Sequence, residues 1–371
     1  MAFAADKAET ELKFNDDGKF KIMLFADLHN NSNAEEWQNI FMCEALDKCQ
    51  PDLVIYLGDN TVGLGYENQY KAIEKITSPV RERNIPYAIV FGNHDQEFGV
   101  SKEDLLKIYQ SFDCLTYSAD PSIYGCGSCN LPIMSSDGSK VAFNLWLIDS
   151  GRENPDRVVG GYDYVHEDQI EWYKKTAAEL AEQNGGKVVP AMDFQHIVIP
   201  EIFDKLYVKL PFDLGSASQT KFGETYSLIP VFTRLNGYWL EQCCPPNVYD
   251  GQLDAWVETG DVIAEFHGHD HNNSFNVNIK GVDIINVPGV GGVSYTKEVS
   301  RGAGLITLNE KNPEKYKYEL VHFYDIALDK DSQICNTETA KSRTHYFFVK
   351  VLDTMVTSIF KILHFLRIDR I

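Results

Sequence analysis

Five short segments carry residue types that hold metal ions or move protons, and each follows an apolar, β-branched run. They are Asp27-Leu28-His29, Gly58-Asp59-Asn60, Gly92-Asn93-His94-Asp95, the lone His196, and Gly268-His269-Asp270-His271 with His267 as neighbour. Taken singly, most have an ordinary explanation. Asp-x-His places two donors on one side of an extended segment, but the pattern is common by chance, and Gly-Asp is frequent in turns. A surface turn accounts for the Gly, Asn and Asp of 92–95 but not for the histidine. Three histidines within 267–271 have few uses besides metal, and six of the ten histidines in the chain fall in these segments. Carboxylate, amide oxygen and imidazole together suit Zn, Mn, Fe or Ni. The recurrence points to a hydrolytic centre holding two ions, divalent or mixed-valence.

Such a centre requires elements that bring distant loops together. Runs rich in β-branched and aromatic residues predict strands over 20–26, 53–57, 87–91, 141–148, 187–194, 262–266, 282–287, 304–308 and 316–323. Between them, helical periodicity marks 34–49, 70–83 and 166–182. The alternation predicts a layered α/β fold. In open α/β sheets ligands gather beyond the carboxyl ends of the strands. Asp27, Asp59, Asn93, His196 and His269 each stand just past a predicted strand.

In this order the motifs resemble the calcineurin-like metallophosphoesterases, over about residues 18–325, and within them the branch related to purple acid phosphatases. The resemblance implies two mixed β-sheets sandwiched between α-helices, a four-layer αββα arrangement, followed by a C-terminal amphipathic helix. It implies one metal held by Asp27, His29, Asp59 and His271 and another by Asp59, Asn93, His196 and His269, with Asp59 bridging. It implies that His94 reaches the phosphoryl oxygen or leaving group, with Asp95 placed to orient it. The purple enzymes carry a tyrosine three residues after the shared aspartate; here that position is Val62, so His29 would take the vacant role and no tyrosinate-to-iron colour is expected. The implied activity is hydrolysis of a small phosphomonoester by attack of metal-bound hydroxide. The alternatives are a phosphodiesterase acting on nucleotide or phospholipid-type substrates, and a scaffold that has lost catalysis.

With 34 basic against 54 acidic residues the chain carries a net charge of −20. That argues against a long nucleic acid as partner and leaves bound cations to attract a phosphorylated substrate. The eight cysteines do not form a disulfide framework in a chain of this length; Cys126-Gly-Ser-Cys129 suggests a hairpin disulfide or two buried thiols. Gly289-Val290-Gly291-Gly292 lacks the Lys-Ser/Thr of a nucleotide loop and is read as a flexible turn near the site. The aromatic stretch between His196 and His269 is either a packed subregion or a cap over the leaving group. Residues 1–17 are read as a tail, whose Met1-Ala2-Phe3-Ala4-Ala5 resembles the remnant of a cleaved signal and so hints at an extracytoplasmic setting, the alternative being a cytoplasmic one. Residues 18–327 form the catalytic domain and 328–371 an extension. Over 346–371 apolar residues alternate with Lys350, Lys361, Arg367 and Arg370 at helical spacing. That helix either packs on its own domain or makes peripheral contact with an anionic membrane.

Overall fold

The computed structural model describes residues 11–31, 35–97, 99–292 and 295–365, with side chains as far as 359. One sheet has five strands, in spatial order Lys317–His322, Gly302–Asn309, Lys19–Phe25, Leu53–Leu57 and Tyr87–Val90. The other has eight: Leu12–Lys13, Cys129–Met134, Val141–Leu147, Ala191–Phe194, Val262–His267, Val282–Asn286, Ser274–Ile279 and Asn236–Tyr238. Both sheets mix parallel and antiparallel pairs.

Strand alternation builds the layers, because successive side chains point to opposite faces. Ile22, Leu24, Ile55 and Leu57 turn one way and meet Phe194, Phe266 and Ile285 of the other sheet in a buried cluster between the two. Met23, Phe25, Val54 and Tyr56 turn the other way, onto Phe41, Ile73 and Leu105, which belong to the helices Glu36–Cys49, Tyr66–Arg81 and Lys102–Ser111. On the far side, Trp146, Ala191 and Ile284 pack against Tyr173, Leu180 and Trp256 of the helices Glu167–Gln183 and Gln252–Thr259. The order is helix, sheet, sheet, helix. Each fully buried Ile, Leu or Phe in these clusters contributes roughly 1.5–3 kcal/mol, so three apolar layers hold the strand ends in place.

Parallel pairing aligns those ends. Phe25 lies opposite Tyr56 and Leu57 opposite Val90; Leu147 lies opposite Phe194, and Phe194 opposite Phe266. The loops that begin at Asp27, Asp59, Asn93, His196 and Gly268 therefore start at one level on the same edge.

Several expectations need correction, and the alternatives left open for Cys126/Cys129 and for the stretch after His196 are decided. Leu12 and Phe14, in the segment read as tail, are buried, and Leu12–Lys13 pairs in parallel with Cys129–Met134. The strand expected over 187–194 begins at Ala191, with Pro190 preceding it. The strands Cys129–Met134 and Ser274–Ile279 and the helices Lys102–Ser111 and Gln252–Thr259 were not anticipated. Cys126 and Cys129 are two buried free thiols. The 289–292 turn is pinned rather than loose, since Gly289 N–H donates to His271 O, Val290 N–H to Ala26 O and Gly291 N–H to Asp27 O. The stretch after His196 is a packed subregion: Phe203, Tyr207 and Tyr226 are buried beside a small sheet of Lys209–Leu210, Glu224–Ser227 and Ser218–Lys221. The C-terminal helix spans Arg343–Phe365; Leu366, Arg367, Ile368 and Arg370 lie outside the described residues, as does the 1–5 segment.

Candidate metal centre

Two clusters of ligand atoms share one carboxylate. Asp27, His29, Asp59 and His271 form the first, and Asp59, His196 and His269 the second, with the ligand atoms of each within 4.8 Å of one another. His29 Nε2 lies 3.6 Å and His196 Nε2 3.3 Å from Asp59 Oδ2. His271 Nε2 lies 3.3 Å from Asp27 Oδ1. The Asn93 amide oxygen stands 3.2 Å from His196 Nε2, which puts Asn93 beside the second cluster.

The residues fit a pair of cations. Asp59 Oδ2 and His269 Nε2 are buried with no hydrogen-bond partner among the described residues, a costly condition unless another ligand meets them. His29 Nε2 and His271 Nε2 are 3.2 Å apart, so two acceptor lone pairs would face each other unless one nitrogen is protonated or a cation lies between. His196 Nδ1 donates to Leu57 O at 2.7 Å, which fixes the ring so that Nε2 faces the site. That bond also ties the two sheets together.

Charge within the site is strongly coupled. Burial opposes ionisation of Asp59, yet the His196 and His29 imidazoles hold its carboxyl well below the usual range; Asp27 is lowered in the same way, against burial, by His271. Burial and His196 push His269 down to about 3, so it presents a neutral imidazole. Burial likewise lowers His29.

The local backbone accepts strain to achieve this. Asp27, His29, Asp59 and His269 adopt φ of 50°, 43°, 51° and 68°, in the left-handed region that L-residues seldom occupy. Such strain collects where surrounding structure enforces it at a functional site. Gly58 has φ of 86°, and a Cβ there would stand 2.5 Å from His196 Nδ1. At Gly92 a Cβ would stand 2.2 Å from Asp59 Oδ1.

His94 sits at the rim, its side chain 42% exposed. Its backbone N–H donates to Asp59 Oδ1 at 2.8 Å, and its ring centroid is 5.6 Å from that of His29. The expectation that Asp95 orients this ring is corrected. Both Asp95 oxygens turn inward and accept backbone N–H groups of Asp59, Asn60, Thr61 and Gly92, clamping two ligand loops together. His94 Nδ1 is paired instead with Glu97 Oε2 at 2.8 Å. Sequence reasoning missed Glu97, although three residues beyond His94 in a tight turn is a spacing that brings side chains together. Ser150, in a segment past the strand ending at Ile148 whose sequence fits either the site entrance or a turn, supports the His196 loop: its hydroxyl receives the N–H groups of His196 and Ile197. Two tyrosines border the clusters: Tyr162 stands edge-on to His269 and Tyr295 stacks on His271, with ring centroids 4.3 and 4.4 Å away. His267 faces away from the centre, pairing with Glu265 among buried polar residues.

An αββα sandwich with two acid-and-imidazole clusters sharing a carboxylate at its strand ends defines a metal-dependent hydrolase of the dinuclear class. The model of the calcineurin-like phosphoesterases matches residues 20–273, and the chain belongs to that family. It is similar to "Probable inactive purple acid phosphatase 14" of Arabidopsis thaliana, 26% identical over 326 residues, covering 79% of this chain and 75% of that protein. It is also similar to "Phosphatase DCR2" of Saccharomyces cerevisiae, 27% identical over 296 residues, covering 73% of this chain and 47% of that one. Among solved structures, a dimetal phosphatase from Danio rerio superposes with a TM-score of 0.49 and 11% identity, over 81% of this chain and 99% of the other. No tyrosine occupies the position of the purple enzymes' ligand: Val62 stands there, and His29 lies in the cluster.

Proposed function

We propose that the centre hydrolyses a small phosphomonoester. Asp27, His29, Asp59 and His271 would hold one cation, and Asp59, Asn93, His196 and His269 the other. When bound, the pair supplies positive charge for the phosphoryl oxygens and acidifies water toward a pKa of about 7. No serine or cysteine nucleophile is then required.

His94 acts on the phosphoryl group or the leaving oxygen. Glu97 engages Nδ1 and so presents Nε2 to the substrate, while the bond from His94 N–H to Asp59 couples the position of the ring to the shared carboxylate. Asp95 is a positioning residue, because it holds the Asp59 and Gly92 backbones in register. Tyr162 and Tyr295 flank the clusters and limit the shape of the leaving group.

The observation that carries this reading is Asp59, a fully buried carboxylate common to two ligand sets, with one oxygen that has no hydrogen-bond partner among the described residues. The name of the Arabidopsis relative includes "inactive", which makes a scaffold without catalysis the second reading. The complete ligand set together with His94 favours turnover here. Protein purified without chelator should carry close to two ions per chain and hydrolyse mono-nitrophenyl phosphate faster than the bis ester. A reversed preference would assign a phosphodiesterase. Full metal loading with no turnover on either ester would favour the scaffold.

A further inference from the structure

The C-terminal helix Arg343–Phe365 is amphipathic in the inverted sense. Its inner side is fastened by largely polar contacts. Asp353 accepts hydrogen bonds from the hydroxyls of Tyr238 and Tyr324, Lys350 pairs with Asp325 at 2.7 Å, and His345 bonds Glu298. Tyr346 is buried against Phe323, with ring centroids 5.5 Å apart. These bonds set the rotation of the helix about its axis. The side left outward carries Phe348, Val351, Leu352, Met355 and Ile359 at i, i+3, i+4, i+7 and i+11, exposed by 65, 38, 55, 60 and 54%.

A helix that merely completes the domain would turn that stripe inward. Five large apolar residues in one row exceed the scattered exposure normal for a monomer surface. Rotating the stripe inward would strand Asp353 and break both tyrosine bonds, so the outward display is the arrangement the anchors enforce.

Charge identifies what covers it. From 343 to 371 the sequence has five basic residues against Asp353 and Asp369; Lys350 pairs with Asp325 and Arg343 donates to Ser332 O, so the positive charge left for a surface is that of Lys361, Arg367 and Arg370. Asp353 is turned inward by its tyrosines. A positive segment on a chain of net charge −20 complements an anionic surface. Two such segments brought face to face would instead repel. Among the described residues no helix is long and apolar enough to cross a bilayer, whereas an apolar stripe flanked by Lys and Arg is suited to lie in the interface.

We propose that this helix docks the protein onto an anionic lipid bilayer, with Phe348, Leu352, Met355 and Ile359 entering the acyl boundary and the basic residues of its C-terminal end meeting the headgroups. The test is sedimentation of the full chain with vesicles of phosphatidylcholine containing phosphatidylserine, beside vesicles of phosphatidylcholine alone. The readout needs no turnover and is independent of the function proposed above. The wild type should bind the anionic vesicles, less so as salt rises. L352E/M355E, altered only at exposed positions, should partition at least ~10-fold more weakly while keeping its melting temperature. Absence of wild-type binding, or equal binding by the variant, would overturn the proposal. So would a wild-type dimer in analytical ultracentrifugation that L352E/M355E converts to monomer, since a second copy would then be what covers the stripe.

Discussion

Gly92→Ala should empty the metal centre while leaving the fold standing. Gly92 does not have the positive φ that penalises a side chain, so the effect of the added methyl is contact alone. The new Cβ would stand 2.2 Å from Asp59 Oδ1, 2.3 Å from Asp59 N and 2.8 Å from Asp59 Cγ. Carbon and its neighbours settle at about 3.5 Å or more, so the carboxylate must retreat by roughly 1 Å. Relief by moving Gly92 instead would break its N–H bond to Asp95, 2.7 Å long, and loosen the clamp on the Asp59 loop. Overpacking of this kind costs about 1–3 kcal/mol of stability, a loss of a few degrees in melting temperature for a chain of this size. Function should suffer far more. A displacement of ~1 Å in a positioned group costs about 10²-fold, and Asp59 belongs to both clusters, so both ions are affected together. Elemental analysis of the variant should find fewer than one ion per chain where the wild type holds close to two, and turnover on a nitrophenyl phosphate should fall at least ~10²-fold. Two ions bound at wild-type affinity, with near-normal turnover, would refute the geometry on which the centre rests.

His94→Ala should retain both metals and lose about 10²–10⁴ in turnover; metal loss in that variant would count against a role at the phosphoryl group. Glu97→Gln keeps the shape but weakens the hold on His94 Nδ1, so kcat should drop about 10-fold with KM and metal content little changed, whereas an equal rise in KM would point to substrate binding instead. Asp193 offers a pH test. It lies opposite Glu265 on adjacent strands, both its oxygens lack partners among the described residues, and burial together with Glu265 pushes its pKa well above the ordinary value. A carboxyl whose folded pKa is raised contributes stability below its unfolded value, near 3.9, and that contribution is lost as pH rises toward the folded value. Asp193→Asn, neutral throughout, should therefore melt higher than wild type at pH 8 with the advantage vanishing near pH 4, and a difference independent of pH would contradict the assignment.

The ligand loops were legible in the sequence because metal chemistry restricts residue types: Gly-Asn-His-Asp and Gly-His-Asp-His after apolar runs have few other uses. The central strands were legible for a similar reason, since 53–57 and 87–91 are buried on both faces and read as unbroken apolar runs. Leu12–Lys13 gave too short a signal to mark it as an edge strand, and its place was decided by pairing with a strand more than a hundred residues away. The partner of His94 was misassigned to Asp95 because adjacency in sequence does not fix direction. Only the fold turns the Asp95 carboxylate toward four backbone N–H groups and leaves Glu97 facing the imidazole.

The apolar and basic residues of the C-terminal helix were likewise visible by periodicity, but which face met the body was not. That was settled by Tyr238 and Tyr324, remote in sequence, whose hydroxyls capture Asp353. Residue chemistry and periodicity are local properties, and they determined the metal-binding character, the layered class and the existence of the helix. The direction of a side chain, the partner of a charge and the face shown to solvent depend on which distant surfaces arrive beside it, and only the packed tertiary structure decided those.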